Sequence, residues 1–364
     1  MFYEVLIVKK KVVFFSILAA VLLALIIGAI ILIPKIKGYL PYYYDKTGKK
    51  QEDLPYTLEI DKTDFENEVA VELAENGIVC SAARFLGYIK ENYPDFVWYN
   101  GIYHLNANMS YKELCEALMS PDEAINYVKF IIPEGKDVRG IAAIVGKSGL
   151  CTEKEFLEAA DSYDYNYPFM DELKKRNQSK IGYKLEGYLF PATYEFRADT
   201  VTAHEIVDKM LKTFSEYVTA EMIADAKKMG LTLNEFVTLG SVVQAEAFSK
   251  ESMAGVSGVF WNRLNSPIYP RLQSDPTTKY GKSLRDLPHY TAAMESAYDT
   301  YRCSDLPIGP TNCPGTDVLK AVLAPEKSEY YYFVTDKNGK FYFNKTLADH
   351  NSIIRNLKSK GLWA

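Results

Sequence analysis

Residues 232–248 read TLNEFVTLGSVVQAEAF, and this pattern predicts a helix that lies against a hydrophobic core. Thr232 followed three residues later by Glu235 is a capping-box signature for the start of a helix. The apolar positions that then recur at helical spacing are Phe236, Leu239, Val243 and Ala247. The fold of the second half of the chain is therefore expected to form around this helix.

Glu246 falls three residues after Val243, at the edge of the apolar face of the predicted helix. Raising the pKa of a buried carboxyl from about 4.3 to near neutrality requires roughly 3–4 kcal/mol of environmental bias. Such a carboxyl is a proton donor at working pH, which the cleavage of a glycosidic bond needs. A glutamate paired with an arginine, or one whose carboxylate reaches water, is the structural alternative. Periodicity leaves both interpretations open.

Length and composition limit the number of domains and the kinds of partner that the protein can have. The chain has 364 residues, 48% of them hydrophobic, which is enough for two or three domains with real cores. Its net charge of −5 argues against nucleic acid as a principal partner. The five cysteines show neither zinc-site nor dithiol spacing, and Cys303 and Cys313 could either close a loop or remain free.

Residues 12–33 predict a membrane-spanning helix, because Ser16 is the only polar side chain in a stretch long enough to cross a bilayer. Lysines at 9–11 predict that the tail, 1–11, is cytoplasmic and that the rest of the chain lies outside the cytoplasm. A cleaved signal peptide is the competing interpretation. Residues 34–55, with three prolines, are expected to form a tether.

Beyond the tether, alternating and helical patterns predict a small α/β module at 56–127 and a larger mixed α+β unit at 128–364. Within the larger unit, residues 183–190 alternate as a strand would and stop at Pro191. Asn338-Gly339 between two apolar runs predicts a hairpin. The residues at 271–277 are expected to form a polar loop.

Several common catalytic sites are excluded by their motifs. The sequence has no G-x-S-x-G and no H-E-x-x-H, and both Gly-Lys-Ser tripeptides lack the earlier glycine of a phosphate-binding loop. What remains is a set of carboxylates and amides on predicted turns, each of which could equally be a cap or a turn former. They are Glu134, Glu186, Glu246, Gln273, Asp275, Asn312 and Asn344.

Seven motifs occur in one order, followed by His350 and Asn351. They are PEG (133–135), LEGYLFPATYEF (185–196), GSVVQAEA (240–247), FWNRL (260–264), RLQSDPT (271–277), LPIGPTNCPG (306–315) and EYYYFVTDKNGKFYF (329–343). Over about residues 56–360 the chain resembles the YceG-like endolytic murein transglycosylases. The resemblance implies an α+β protein with an N-terminal transmembrane helix, a LysM-like module at 56–127 and a YceG-like catalytic domain at 128–364.

The resemblance also implies a mechanism that needs no metal, nucleotide or other cofactor. Glu246 would protonate the glycosidic oxygen between N-acetylmuramic acid and N-acetylglucosamine, and would then take the proton of the C6 hydroxyl to close a 1,6-anhydro ring. Gln244 stands where the family often has an acidic residue. The residues expected to line the cleft and bind substrate are Glu186, Tyr188, Tyr194, Gln273, Asp275 and Asn312.

Two positions depart from the family pattern: Cys313 replaces an asparagine, and Asp299 stands within the YDTY at 298–301.

Two rival functions stay open. One is a muramidase-type hydrolase in which Glu186 or Asp275 acts as a second carboxylate, and the other is a membrane-tethered scaffold that binds peptidoglycan without cleaving it. The resemblance implies peptidoglycan strands as substrate and the wall-synthesis enzymes of elongation or division as partners.

Overall fold

The computed structural model describes residues 55–61, 64–247 and 249–363, which divide into two units between Ile125 and Asn126. The predicted tail at 1–11, the span at 12–33 and all but the last residue of the tether lie outside these residues. Among the described residues, no helix is both long enough and apolar enough to cross a membrane.

In the first unit, two short helices lie between two antiparallel strands in the sequence. Leu58 of the first strand pairs with Tyr103 of the second, and both side chains are buried with Phe85 and Leu114. The elements are β1 (Pro55–Ile60), α1 (Glu66–Glu75), α2 (Ala82–Asn92), β2 (Gly101–Asn106), α3 (Tyr111–Leu118) and β3 (Glu123–Ala124). The sheet order is β1-β2-β3.

The second unit is a mainly helical α+β structure with two separate two-stranded antiparallel sheets. Its helices are α4 (Val138–Ser148), α5 (Glu153–Ala160), α6 (Met170–Lys175), α7 (Ala203–Tyr217), α8 (Ala220–Lys228), α9 (Leu233–Glu246), α10 (Lys250–Leu264), α11 (Asp275–Ser283), α12 (Ala292–Ala297), α13 (Thr316–Leu323) and α14 (Leu347–Ser359). Its strands are β4 (Tyr127–Ile131), β5 (Thr193–Arg197), β6 (Tyr332–Thr335) and β7 (Phe341–Asn344), paired as β4-β5 and β6-β7.

Helix α9 is the centre of this unit, as the sequence predicts. The Thr232 hydroxyl accepts from the Glu235 N–H, while the Glu235 carboxylate accepts from the Thr232 N–H at 2.8 Å, which confirms the capping box. The side chains of Phe236, Leu239 and Val243 are fully buried. The predicted hairpin is also confirmed, with Gly339 at φ 82° in the turn between β6 and β7.

The strand predicted at residues 183–190 is wrong. Successive turns occupy this segment, with Glu186 N–H donating to the Tyr183 carbonyl and Tyr188 N–H to the Leu185 carbonyl, and Gly187 has φ 85°. Nearly all of these side chains are buried, so the alternation of residue types does not reflect two faces of a strand. The strand of this region, β5, begins after Pro191.

Cys303 and Cys313 do not form a disulfide with each other, so the loop between them is not closed covalently. Cys313 is fully buried, and burial raises the pKa of its thiol to about 12. Its backbone N–H donates to the Lys136 carbonyl, and its carbonyl accepts from the Gly135 N–H, so it joins two of the sequence motifs. Its thiol donates weakly to the Pro133 carbonyl, with Sγ 3.6 Å from the oxygen.

Candidate active site

Glu246 is the last residue of α9, and the chain turns to an extended conformation at Ala247. Gly240, one and a half turns earlier, permits close packing of α9 on α13, since a Cβ there would lie 2.7 Å from Leu319 Cδ2. The helix is thereby held firmly in the core, while its last turn reaches the surface of the unit. This placement gives the carboxylate of Glu246 a rigid support beside solvent.

The Glu246 carboxylate is partly buried, and within the described part of the chain it accepts a hydrogen bond from Ser274. Ser274 Oγ donates to Glu246 Oε1 at 2.7 Å. Burial raises the pKa of Glu246 to about 6; the Ser274 hydrogen bond opposes the rise, Asp275 adds to it by charge repulsion and the Lys279 ammonium reduces it. A carboxyl with this pKa exchanges protons readily near neutral pH.

The segment that carries Ser274 has an unusual backbone. Gln273 has φ 54°, the only positive φ of a non-glycine residue in the described part of the chain. Ser274 is buried, and its N–H donates to Thr300 Oγ1 at 2.9 Å. Thr277 Oγ1 donates to the Ser274 carbonyl at 2.8 Å. These bonds fix the serine that contacts Glu246.

Arg263 of α10 holds the same segment from the other side. Its Nη1 donates to the Arg271 carbonyl and to Gln273 Oε1, both at 2.9 Å, and its Nε donates to the Tyr331 carbonyl at 2.6 Å. The guanidinium lies 4.8 Å from the centre of the Tyr332 ring and is 6% exposed. Within the described residues it forms no ion pair with a carboxylate, so its function here is to orient carbonyl groups.

Asp275, the first residue of α11, stands next to Ser274 and lies beside the same opening. Its Oδ1 accepts from the Tyr301 hydroxyl at 2.7 Å. Burial, followed by the bond to Asp275, raises the pKa of Tyr301 to about 12, so this hydroxyl remains a donor at neutral pH. The sequence placed residues 271–277 in a loop, but the helix already begins at Asp275, with Pro276 in its first turn and Ser274 at the N-cap position.

These side chains surround a cavity of about 340 Å³, a size typical of ligand sites. We call Glu246, Gln273, Asp275 and Tyr301 the acid wall of the cavity. The hairpin, α14 and the residues after it supply the aromatic wall, made of Tyr331, Tyr332, Leu347, His350 and Trp363. Arg263 lies between the two walls, because it hydrogen-bonds Gln273 of the first and the backbone of Tyr331 of the second. The cavity thus combines a carboxyl of raised pKa with a polar and an aromatic surface.

Three of the seven predicted site residues line the cavity: Glu246, Gln273 and Asp275. Asn312 does not, because it is buried behind α9, where its Nδ2 donates to the Ser241 carbonyl at 2.9 Å. Its Oδ1 has no partner among the described residues. Asn312 is placed to brace the helix that carries Glu246.

The remaining three lie in the core of the unit rather than along the cavity. Glu186 accepts from the Val138 N–H at the start of α4 and from the Tyr280 hydroxyl, and burial raises its pKa to about 8. Tyr188 stacks against Phe169, and Tyr194 donates to the Phe190 carbonyl. The expectation that they form cleft walls is not met, because all three side chains are at most 2% exposed. The turn at 183–190 directs Glu186 and Tyr188 inward, where a strand would have alternated, whereas Tyr194 lies on β5 with its side chain in the core.

Sequence reasoning missed most of the cavity. The missed lining residues are Phe260, Arg263, Leu272, Tyr301, Phe333, Val334 and the five residues of the aromatic wall. Ser274, which contacts Glu246, was missed as well. Ser274 lies between Gln273 and Asp275, two predicted site residues, so its position in the sequence was already bracketed by those predictions. The residues of the aromatic wall come from 85 or more positions beyond Glu246, and no local pattern joins them to it.

Glu246→Gln should stabilise the folded protein above pH 6. The pKa of Glu246 in the folded protein, about 6, exceeds the ordinary value of 4.5, so folding favours the protonated carboxyl. The stabilisation from this preference is complete below pH 4.5 and is lost as the pH rises to about 6. Above that, the charged carboxylate costs about 2 kcal/mol, which the neutral amide avoids. Urea unfolding of the two proteins at pH 4 and pH 8 measures this. An equal difference at both pH values would contradict the assigned pKa.

The comparisons with known proteins agree on one family. The sequence profile of the YceG-like family matches residues 58–356. A Bacillus subtilis protein named endolytic murein transglycosylase is 30% identical over 295 residues, covering 78% of this chain and 79% of that protein. A Streptococcus pneumoniae protein of the same name is 29% identical over 357 residues, covering 89% of this chain but 63% of the longer relative.

A solved structure is similar as well. The crystal structure of a Listeria monocytogenes protein described as YceG-like superposes with a TM-score of 0.54 at 27% sequence identity. The match covers 83% of this chain and 100% of that one. The mixed α+β fold is therefore shared with a protein of the same description.

Proposed function

The chain belongs to the YceG-like family, and we propose that it is a lytic transglycosylase that cleaves the glycan strands of peptidoglycan from within. The names of the Bacillus and Streptococcus relatives support the substrate and the reaction class. The observation that carries the proposal is the Glu246 carboxyl, with a pKa raised to about 6, in a cavity that it shares with sugar-compatible polar and aromatic side chains. One group that can both give and take a proton is what this reaction requires.

In the proposed reaction, protonated Glu246 gives its proton to the glycosidic oxygen between N-acetylmuramic acid and N-acetylglucosamine. The bond from C1 to that oxygen breaks, and its electron pair leaves with the oxygen. The Glu246 carboxylate then removes the proton of the C6 hydroxyl, whose oxygen bonds to C1 and closes the 1,6-anhydro ring. No water is consumed, and the carboxyl ends in its starting state.

Three residues beside Glu246 have distinct proposed roles. The Ser274 hydroxyl holds Glu246 in place and stabilises its charged form between the two proton transfers. The carboxylate of Asp275 favours the positive charge that develops at C1 when the glycosidic bond breaks. Gln273, which is exposed and fixed by Arg263, is placed to bind a hydroxyl or an N-acetyl group of the substrate.

A muramidase-type hydrolase is the second candidate, because Asp275 lines the same cavity as Glu246. In that reaction Asp275 would act as the second carboxylate, either as the nucleophile or as the base for a water molecule. Glu186 is less suited to this role, since its carboxylate is 1% exposed and already accepts from Val138 and Tyr280.

We also propose that residues 12–33 anchor the protein in the cell membrane as a single span, with the tail at 1–11 in the cytoplasm and the catalytic unit outside. The apolar composition of the span and the preceding lysines support this orientation. We propose that the first unit is the LysM-like module, supported by its strand, two helices and antiparallel return strand. A membrane position suits cleavage of newly made strands next to wall-synthesis enzymes of elongation or division.

The decline of kcat/KM at alkaline pH should follow the pKa of Glu246. Above about pH 6 the protonated fraction of Glu246 falls, so kcat/KM should decline by about tenfold per pH unit. Asp275→Asn removes a repelling charge and should move this decline to lower pH, whereas Lys279→Met removes an attracting charge and should move it to higher pH. Rate profiles of the three proteins measure this. Shifts in the same direction for both variants would contradict the assignment to Glu246.

The enzyme and scaffold hypotheses differ in one direct test. Full-length protein in detergent is incubated with uncrosslinked glycan strands, and the lengths of the strands are followed by chromatography. Cleavage within strands, seen as early loss of long strands, is expected. Binding of the strands with no change in their length would favour the scaffold.

A further inference from the structure

The aromatic wall leaves apolar surface open beside Glu246. Trp363 is 41% exposed and Leu347 is 53% exposed, although both line the cavity that contains the catalytic candidate. Aromatic side chains that stay open next to a reactive group are typical of ligand sites. The deeper side chains of the cavity, such as Phe260, are buried in the core of the unit. The wall therefore has a packed base and an open rim.

The backbone fixes Trp363 in position before any ligand arrives. Trp363 forms an antiparallel bridge with Asp336 at the hairpin turn. Lys337 N–H donates to the Leu362 carbonyl at 3.0 Å, and Leu362 N–H donates to the Leu357 carbonyl at 2.8 Å. Asp336 is itself buried, and its Oδ1 accepts from two backbone N–H groups of the turn. The Lys358 ammonium lies over the Trp363 ring, 5.1 Å from its centre, so the ring has a contact of its own besides the backbone bonds. A side chain held in this way loses less conformational freedom when it binds a ligand.

His350 contributes a polar imidazole ring to the aromatic wall. Its Nδ1 is buried and has no hydrogen-bond partner among the described residues. Its ring lies 5.4 Å from the Tyr332 ring, and burial, together with the charge of Arg263, lowers the pKa of the imidazole. A buried polar atom without a partner costs about 1–3 kcal/mol. This side of the cavity is thus amphipathic, with aromatic faces and an unpaired nitrogen.

Charge narrows the class of ligand that fits. The five residues of the aromatic wall include no carboxylate, lysine or arginine, whereas the acid wall holds Glu246 and Asp275. These five residues offer an acidic peptide no cation, and the Arg263 guanidinium beside them is buried and already donates to backbone carbonyls. A lipid chain would leave the tyrosine hydroxyls without polar partners. A pyranose ring has a face of C–H groups and an edge of hydroxyls, so it matches both the aromatic faces and the polar atoms.

We propose that the aromatic wall is a saccharide subsite in which Trp363 stacks on the pyranose ring next to the bond that Glu246 protonates. This inference rests on the proposed function, because it takes a glycan strand as the ligand. A strand that spans both walls places a sugar on each side of the broken bond. Glycans too short to reach the aromatic wall should therefore bind weakly.

The test measures binding without cleavage. Glu246→Gln in the full-length protein serves as the background, and its Kd for soluble uncrosslinked glycan oligosaccharides is measured by calorimetry. Adding Trp363→Ala should raise the Kd by about tenfold or more, while Trp363→Phe should stay within about threefold. Tyr217→Ala is the matched control, since Tyr217 is 51% exposed in the same unit but does not line the cavity. Equal Kd values for Trp363→Ala and the background would overturn the subsite.

Two further measurements keep the result interpretable. The melting temperature of each variant is recorded, and if Trp363→Ala unfolds, Leu347→Ser on the exposed rim replaces it with the same expected loss of binding. Glycan cleavage by the unsubstituted protein is measured in parallel. Absence of cleavage together with Trp363-dependent binding would reject the proposed function but support the subsite, whereas cleavage with Trp363-independent binding would do the reverse.

Discussion

Glu246→Gln is expected to reduce cleavage of peptidoglycan strands by about a thousandfold or more. The amide keeps the size of the side chain and can still accept from Ser274 Oγ, but it can neither give a proton to the glycosidic oxygen nor take one from the C6 hydroxyl. Both proton transfers of the proposed reaction are therefore lost together. Initial rates on uncrosslinked strands, with the protein fully folded, measure the effect.

Glu186→Gln is the matched control for this prediction. Both glutamates lie in the same unit and both have raised pKa values, but Glu186 is fully buried and only Glu246 lines the cavity. Glu186 is expected to be largely protonated at neutral pH, so a neutral amide should preserve its contact with the Val138 N–H. We expect this variant to keep most of its activity. Loss of activity with Glu186→Gln and retention with Glu246→Gln would reverse the two roles.

Gly187→Ala should destabilise the second unit by about 3 kcal/mol. Gly187 has φ 85°, where an added side chain costs about 1–2 kcal/mol. Its new Cβ would also lie 2.3 Å from Pro310 Cβ, and overpacking of this kind costs roughly 1–3 kcal/mol more. Because the turn places Glu186 and Tyr188 in the core, the penalty falls on the packing of the whole unit. Chemical unfolding of the variant measures the loss.

Gly230→Ala separates the cost of the positive φ from the cost of the contact with Pro310. Gly230 has φ 86°, yet a Cβ there would meet no atom within 4 Å. This variant should lose only the conformational part, about 1–2 kcal/mol. The difference between the two variants then gives the cost of the contact with Pro310. Equal losses in both variants would show that the close approach at Gly187 is relieved at no cost.

Local signals in the sequence were sufficient for the central helix and the hairpin. The capping box at Thr232 begins α9 where it was predicted. The turn at Gly339 joins two strands as expected. The reason is that caps and tight turns are decided by a few neighbouring residues, whose hydrogen bonds form within the segment itself.

Contacts between distant segments could not be predicted in this way. The turn at 183–190 is set by Gly187 against Pro310 and by Glu186 on the Val138 N–H, which no periodicity reveals. The position of Ser274 depends on Thr300 and that of Trp363 on Asp336. The sequence therefore indicated Glu246, the proposed proton donor, which lies on a strongly patterned helix, but not most of the cavity around it.

The most direct test of the central claim is cleavage of uncrosslinked glycan strands in water enriched in oxygen-18, followed by mass spectrometry of the new ends. In the proposed reaction the C6 oxygen of the sugar closes the ring, so the new ends should be lighter than hydrolysis products by one water and should contain no label. New ends of full mass that carry one labelled oxygen would contradict the transglycosylase. They would instead identify a hydrolase, with Asp275 as the first candidate for its second carboxylate.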